Sequence, residues 1–503
     1  MKTPSAERFR KYTTDETFDR IRDFGSVSSM WKSILPEYSA RTAIEDNGEK
    51  YSYARLEEDA ASFRPLVSGL PGDRIGILIP NSYSFVRVYL AIVTAGKTAV
   101  ILPPQLPPEA VFGIGMKFGL SALVYDAATA EKTALLAARA PQVALISDSA
   151  VSDAPASASE VSGETPCVVM FTGGTTGKSK GAVLSNRAVM RGTVNGCYGI
   201  KEIFGQRYLL VLPLSHVFGL IRNLMTSLYT GSTLFINRNG KDLFRDVATF
   251  RPTILVMVPA LAEMALTLSK KFGKNMLGPD MKTIICGAAA VPPYLIREYA
   301  AIGIDLLAGY GLTESANLVS GNPESLRKPE SVGLMYPCQE YLVVDGELWL
   351  KGENMMDGYI GEDEPSSEGG WFRTGDLVRI DEEGFLYITG RTKEIIILPN
   401  GENVSPAEVE SEFSALPLVQ DCELYEDRAD NGTPILVLEV LPRMTELGKL
   451  PEEERSARLA ADIAAVNASL PSWKRFNRLV VRDSDFPRTP SMKILRHSQY
   501  KKD

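Results

Sequence analysis

The sequence predicts an α/β protein with a large N-terminal part, made of two α/β sheet subdomains and a small β-rich subdomain, and a small α+β part at the C-terminus. Three observations predict it. Short β-branched runs alternate with longer amphipathic stretches through the first two thirds of the chain, the pattern of largely parallel sheets covered by helices. From Tyr341 the pattern changes to short strands and acidic turns, and after Gly390–Arg391 strand and helix candidates mix again. The 503 residues, at roughly 150 per folding unit, allow about three units, and 45% hydrophobic content is ample for their cores.

In chain order, the first strand candidates are Arg74–Pro80, Ala122–Asp126 and Val143–Asp148. The segment Ser147–Ser162, rich in Ala, Ser and Asp, holds little that can be buried and reads as a linker dividing the two sheets. Beyond it lie Cys167–Phe171, Leu209–Leu214, Ser232–Asn237, Ile254–Val258 and Thr283–Cys286. The β-rich piece carries YLVVDGELWLKG and GWFRTGDLVRIDEEGFLYITGR. After residue 390 the candidates are Glu394–Leu398, Pro406–Ala415, Cys422–Glu426, Ile435–Leu441, Glu452–Ser469 and Arg478–Arg482, enough for a separate domain of about 110 residues.

Composition narrows the chemistry. A net charge of −8 with mixed signs and no basic block argues against nucleic acid as a partner. Five scattered cysteines without a C-x-x-C pair indicate neither a disulfide framework nor a thiolate zinc site and suit a reducing cytoplasm. The charged N-terminus lacks the apolar core of a signal peptide, and the apolar stretches Tyr208–Ile221 and Ala91–Leu102 are interrupted well short of the roughly 18 residues of a spanning helix. Two histidines, His216 and His497, exclude any multi-histidine metal site.

The stretch Phe171–Gly181, FTGGTTGKSKG, packs four glycines, three threonines and two lysines directly behind an apolar strand. Glycines let backbone N–H groups turn inward around an anion, the hydroxyls of Thr172, Thr175 and Thr176 add donors, and lysines add charge, so the loop reads as a phosphate cradle. It is one residue short of a Walker A motif, and GAVLS continues as a strand where a P-loop opens a helix. Gly177–Gly181 also fits G-x-S-x-G, with His497 downstream, which keeps a serine hydrolase using Ser179 as a remote alternative.

Together with the stretches downstream of it, the loop resembles the signature of the adenylate-forming superfamily, which includes acyl-CoA synthetases, peptide-synthetase adenylation domains and luciferases. Those stretches are similar to that family's motifs and come in its order: LPLSHVFG at Leu212–Gly219, GYGLTES at Gly309–Ser315, GELWLKGENMMDGY at Gly346–Tyr359 and WFRTGDL at Trp371–Leu377. GRTKEIIILPNGENVSPAEVE at Gly390–Glu410 and PRTPSMKILR at Pro487–Arg496 complete the set. Three positions depart from the family pattern: Gly173 stands where Ser or Thr is usual, Ser179 where Pro is usual, and Met492 where Gly commonly precedes the lysine.

The resemblance implies an N-terminal AMP-binding domain over 1–390 and a mobile C-terminal domain over 391–503. It implies ATP held by Thr172, Gly173, Gly174, Thr175, Thr176, Gly177 and Lys180 on the phosphate side, and by Gly287, Ala288, Ala289, Tyr310, Gly311, Asp376 and Arg391 around the nucleoside. Thr313 meets the α-phosphate, Glu314 holds Mg²⁺, Lys493 is the catalytic lysine, His216 gates the acid, and Lys393 is the hinge. His216, Phe218, Ala290 and Leu312, with Gly287, Ala288 and Ala289, line the acyl pocket, and their small or apolar character suits a fatty or aryl acid. The implied reaction activates a carboxylic acid, preferably fatty, to acyl-AMP and passes it to a phosphopantetheine thiol, that of CoA or of an acyl carrier protein.

Overall fold

The computed structural model describes residues 3–172, 180–361, 367–398, 403–429, 433–488 and 494–496. Its first sheet has the strand order Gly358–Tyr359, Lys180–Ser185, Pro166–Thr172, Thr98–Ile101, Arg74–Leu78, Ala122–Tyr125, Ala144–Ser147. The inner strands are parallel and buried on both faces, which is why they read as unbroken apolar runs. Helices cover them. Tyr83–Thr94, for example, starts where the Ser82 hydroxyl accepts the Phe85 N–H at 3.2 Å and buries ten of its twelve residues.

Pro166–Thr172 and Lys180–Ser185 form an antiparallel pair at the edge of this sheet, with Thr172 opposite Lys180. The chain between them therefore leaves and re-enters one ladder, and the next helix, Asn186–Asn195, begins only at its Ser185 cap. Among the described residues of this stretch no helix opens before Asn186, as the strand character of GAVLS predicts. The division expected at Ser147–Ser162 is misplaced, because this pair belongs to the first sheet although it comes after that segment. The segment instead runs along the first layer, held by Ser152 and Ala156 N–H groups on the Ser62 and Ala61 carbonyls.

The second sheet joins six parallel strands, Thr42–Asp46, Thr233–Ile236, Arg207–Leu210, Ile254–Met257, Thr283–Cys286 and Asp305–Tyr310, flanked by Glu49–Ser52. The β-rich subdomain continues this ladder. The last two residues of Asp305–Tyr310 pair antiparallel with Ser320–Gly321, which leads through Gly333–Met335 to Phe385–Arg391, Trp371–Ile380, Glu347–Gly352 and Gln339–Val344. Alternating burial marks Gln339–Val344, but partners dozens of residues apart are chosen by packing. Asp305–Tyr310 thus starts in a parallel sheet and ends in an antiparallel one, at the carboxyl end where open α/β sheets bind ligands.

Toward the C-terminus, Val419–Arg428 and Pro434–Pro442 pair antiparallel and Arg478–Val481 joins in parallel. Helices Pro406–Ser414 and Glu452–Ser469 close a core of their own around Phe413, Leu438, Val440 and Ile463. The strand expected at Glu394–Leu398 shrinks to Ile396–Ile397, behind a 3₁₀ turn at Thr392–Glu394.

Candidate active site

Residues at or just beyond the carboxyl ends of eight strands, those ending at Leu78, Ile101, Thr172, Leu210, Ile236, Met257, Cys286 and Tyr310, line one cleft of about 2660 Å³. Asp376 and Arg391 also line it, as do Arg443 and Arg488 from the C-terminal part.

Asp376 has both of its carboxylate oxygens bonded. The hairpin of Trp371–Ile380 and Phe385–Arg391 sets Asp376 directly opposite Arg391, and the Arg391 Nε donates to Asp376 Oδ1 at 2.7 Å. The Tyr310 hydroxyl, brought by the end of its strand, donates to Oδ2 at 2.5 Å. Desolvation and then the Asp376 charge hold the Tyr310 phenol well above its ordinary pKa, so it stays a donor. Asp376 is 2% exposed, and its own N–H is fixed on the Thr374 hydroxyl at 3.0 Å. Each carboxylate oxygen thus carries one protein donor and keeps a lone pair, which lets Asp376 accept hydroxyls from a bound sugar.

Gly311 comes directly after Tyr310. A Cβ there would lie 1.2 Å from the Asn317 carbonyl oxygen, so only glycine lets the chain double back into the tight turn Thr313–Ser315. Ser315 ties the turn, accepting the Leu312 N–H at 3.0 Å and donating to the Leu312 carbonyl at 3.1 Å. Beneath it the fully buried Asn354 donates to the Ser315 and Leu318 carbonyls and to Gln339. Glu314 accepts the Tyr359 hydroxyl at 2.6 Å, and the Lys180 ammonium lies 4.8 Å over the Tyr359 ring. Tyr359, Asn354 and Thr374 were not singled out by sequence. Tyr359 closes the GELWLKGENMMDGY stretch, and that position is the one signal pointing to it.

The residues present fit a magnesium ion only in part. Among the described residues no three carboxylate, cysteine or histidine groups converge, and Glu314 offers a single carboxylate beside the cleft. That donor set suits an ion that arrives on phosphate oxygens, since Mg²⁺ keeps waters and takes one or two protein carboxylates.

Elsewhere on the cleft, Asn81 clamps the LPLSH loop, donating to the Leu212 carbonyl at 2.8 Å and accepting the Leu214 N–H at 2.9 Å. His216 Nδ1 accepts the Phe218 N–H at 3.2 Å, which leaves the ring proton on Nε2 when the imidazole is neutral. Phe218 opens a π-helix, Phe218–Met225, and its ring tip would lie 3.6 Å from a Cβ at Gly287. Ala288 holds a left-handed backbone, φ +65°. Ala288 and Leu312 are half-buried, whereas Ala289 and Ala290 line the cleft from exposed positions, so the expected packed alanine wall is a rim at these two.

Gly173, Gly174, Thr175, Thr176, Gly177 and Ser179 lie outside the described residues, as do Met492, Lys493 and His497. Their flanks are on the cleft: Thr172 and Lys180 on one side, and on the other Arg488 and Ile494, which form a β-bridge. Lys393 is exposed on the turn Thr392–Glu394. Just before it, the Thr389 carbonyl accepts the Ser405 hydroxyl at 2.7 Å.

Residues 34–360 match the family described as AMP-binding enzyme, and residues 393–502 match the AMP-binding enzyme C-terminal domain. A feruloyl-CoA synthase of Amycolatopsis sp. is 30% identical over 437 residues, covering 81% of this chain and 84% of the relative. The long-chain-fatty-acid–CoA ligase FadD13 of Mycobacterium tuberculosis is 30% identical over 404 residues, covering 74% of this chain and 79% of the relative. In fold, the anthranilate–CoA ligase AuaEII in complex with anthranoyl-AMP superposes with a TM-score of 0.82 at 19% identity, covering 94% of this chain and 96% of that one.

Proposed function

The chain belongs to the AMP-binding enzyme family as an acid–thiol ligase that works through an acyl adenylate, and from that premise we propose how its cleft divides the work and what acid it takes. In the first step a carboxylate oxygen attacks the α-phosphorus of ATP, the bond to the β-phosphate oxygen breaks, and pyrophosphate leaves with that electron pair. In the second a thiol sulfur attacks the acyl carbon, AMP leaves, and the thiol proton passes to solvent. AMP is the leaving group that a bare carboxylate lacks.

The observation that carries the division of work is Asp376, buried and already held by Tyr310 and Arg391, beside the Thr313–Glu314 turn. Asp376 and Arg391 receive the ribose, Tyr310 and Gly287–Ala289 border the adenine, and Thr313 meets the α-phosphate. The loop from Thr172 to Lys180 takes the outer phosphates. Glu314 would hold Mg²⁺, which supplies charge neutralisation to the phosphate oxygens when bound. Lys493 supplies the compact positive charge at the α-phosphate. The C-terminal part from residue 391 turns about Lys393 between the two steps, a reading supported by the exposed turn there and by the separate core around Phe413.

The acid enters past His216 against Phe218, Leu312, Ile200 and Leu318, which suits an aliphatic or aryl body. A fatty acid is the first choice and an aryl acid the second; the thiol is that of CoA, with a carrier protein's phosphopantetheine as the alternative. Pyrophosphate release across a panel of fatty and aryl acids, with and without CoA, tests this. Acid-dependent release and a CoA thioester are expected. Nucleotide binding without release from any acid would reduce the protein to a nucleotide-binding regulator, and fluorophosphonate labelling of Ser179 with indifference to ATP would indicate the hydrolase.

A further inference from the structure

Arg222 lies within the π-helix Phe218–Met225 and is 2% exposed. Of this helix, Phe218 and Arg222, four residues apart, face the cleft. The Nη1 of Arg222 is sealed from solvent without a hydrogen-bond partner, and among the described residues no carboxylate pairs with the guanidinium. The groups that feel its charge are Tyr208, Tyr336 and Cys197. Burial pushes the Cys197 thiol and the Tyr336 phenol up to about 12 and the Tyr208 phenol higher, so all three are neutral. The Tyr208 hydroxyl approaches the guanidinium closely enough for a weak, poorly aligned hydrogen bond, but it is neutral, and neither it nor Nη1 meets full bonding geometry. On the same cleft the Nδ2 of Asn317, 7% exposed, is a second unpartnered donor.

A guanidinium cannot shed its proton to escape burial, and an unpaired buried charge is strongly destabilising. Such a group is stable where a ligand completes it. Its planar fork fits a carboxylate through two parallel hydrogen bonds.

On the premise that the chain is the ligase proposed, we propose that the acid is a dicarboxylate: one carboxyl is adenylated at the nucleotide end while the second, unreacted, is held by Arg222. Ile200, Phe218 and Leu318 line the apolar passage and border the carbon chain or ring that joins the two carboxyls. The apolar pocket inferred from sequence thereby becomes an apolar corridor with a cationic end.

The experiment measures kcat/KM for pyrophosphate release with two matched series, α,ω-dicarboxylic acids and the monocarboxylic acids of the same length, for the parent enzyme and for Arg222→Met and Arg222→Lys. The parent is expected to prefer the dicarboxylate at its best length by roughly 10- to 10²-fold. Arg222→Met should erase or invert that ratio, and Arg222→Lys should restore part of it. A residue that merely braced the aromatic cluster would lower both series together and leave the ratio unchanged. Monocarboxylates matching or exceeding dicarboxylates in the parent would overturn the inference and leave the ligase reading intact. Release with neither series nor with the fatty and aryl panel would overturn the ligase reading and the inference with it. Should both variants fail to fold, the parent's ratio alone decides.

Discussion

Asp376 and Arg222 are equally buried, each 2% exposed on the same cleft, yet Asp376 is held by Tyr310 and Arg391 while the Nη1 of Arg222 has no partner. The carboxylate sits in a hairpin whose register delivers its counter-charge, so the nucleotide end is organised before any ligand arrives. The arginine sits on a helix beside the neutral Cys197, Tyr208 and Tyr336, so its counter-charge is left for a ligand to supply on the proposed reading. On the reading proposed above, preorganisation serves the end whose ligand is always the nucleotide, and an open charge the end where one acid must be told from another.

The largest effect is expected at the lysine proposed to serve the α-phosphate. Lys493→Ala should lower acid-dependent ATP–pyrophosphate exchange on the order of 10²–10³-fold, while thioester formation from synthetic acyl-AMP and CoA stays near the parent rate. Full exchange activity in this variant would end the assignment of Lys493. Next, Asp376→Asn removes the charge that Arg391 and Tyr310 address, and because Arg391 is 42% exposed the loss is moderated by solvent. A fall of about 10²-fold in kcat/KM for ATP is anticipated, with the preference between dicarboxylates and monocarboxylates unchanged. If that preference moves, the two ends are coupled and the contrast between them is broken.

A finer test is Tyr310→Phe, which deletes one charge-assisted hydrogen bond and keeps the ring. Roughly tenfold should be lost in kcat/KM for ATP, and a change under twofold would show that Arg391 alone holds Asp376. The smallest effect belongs to Ala289→Leu. Since Ala289 is exposed on the rim, relative kcat/KM along a chain-length series should shift by less than about threefold. A larger shift would place the selecting wall at the alanines and away from Arg222.

Much of the proposed nucleotide end was legible in the sequence because its residues are local to one another. Gly311, Thr313 and Glu314 share one turn, and WFRTGDL and GRTKE, which bring Asp376 and Arg391, flank a single hairpin. Tyr359, Asn354 and Asn81 escaped notice because each acts across a long separation: Tyr359 reaches Glu314 over 45 residues and Asn81 reaches Leu214 over 133. Arg222 escaped for a different reason. In LPLSHVFGLIRNL it looks like an ordinary helical arginine, and neither its burial nor its missing partner leaves a mark on the chain.

By itself the sequence determined the alternation of strand and helix, the strands on either side of the Gly/Thr-rich stretch, and the residue types expected for adenylate chemistry, because propensity, turn chemistry and short motifs are properties of neighbouring residues. Tertiary structure alone decided that the strand pair after Ser162 joins the first sheet and that the β-rich piece extends the second. It also decided which buried charges are paired. Strand partnership and charge pairing depend on which surfaces meet across long stretches of chain, and that is settled only when packing excludes water from between them.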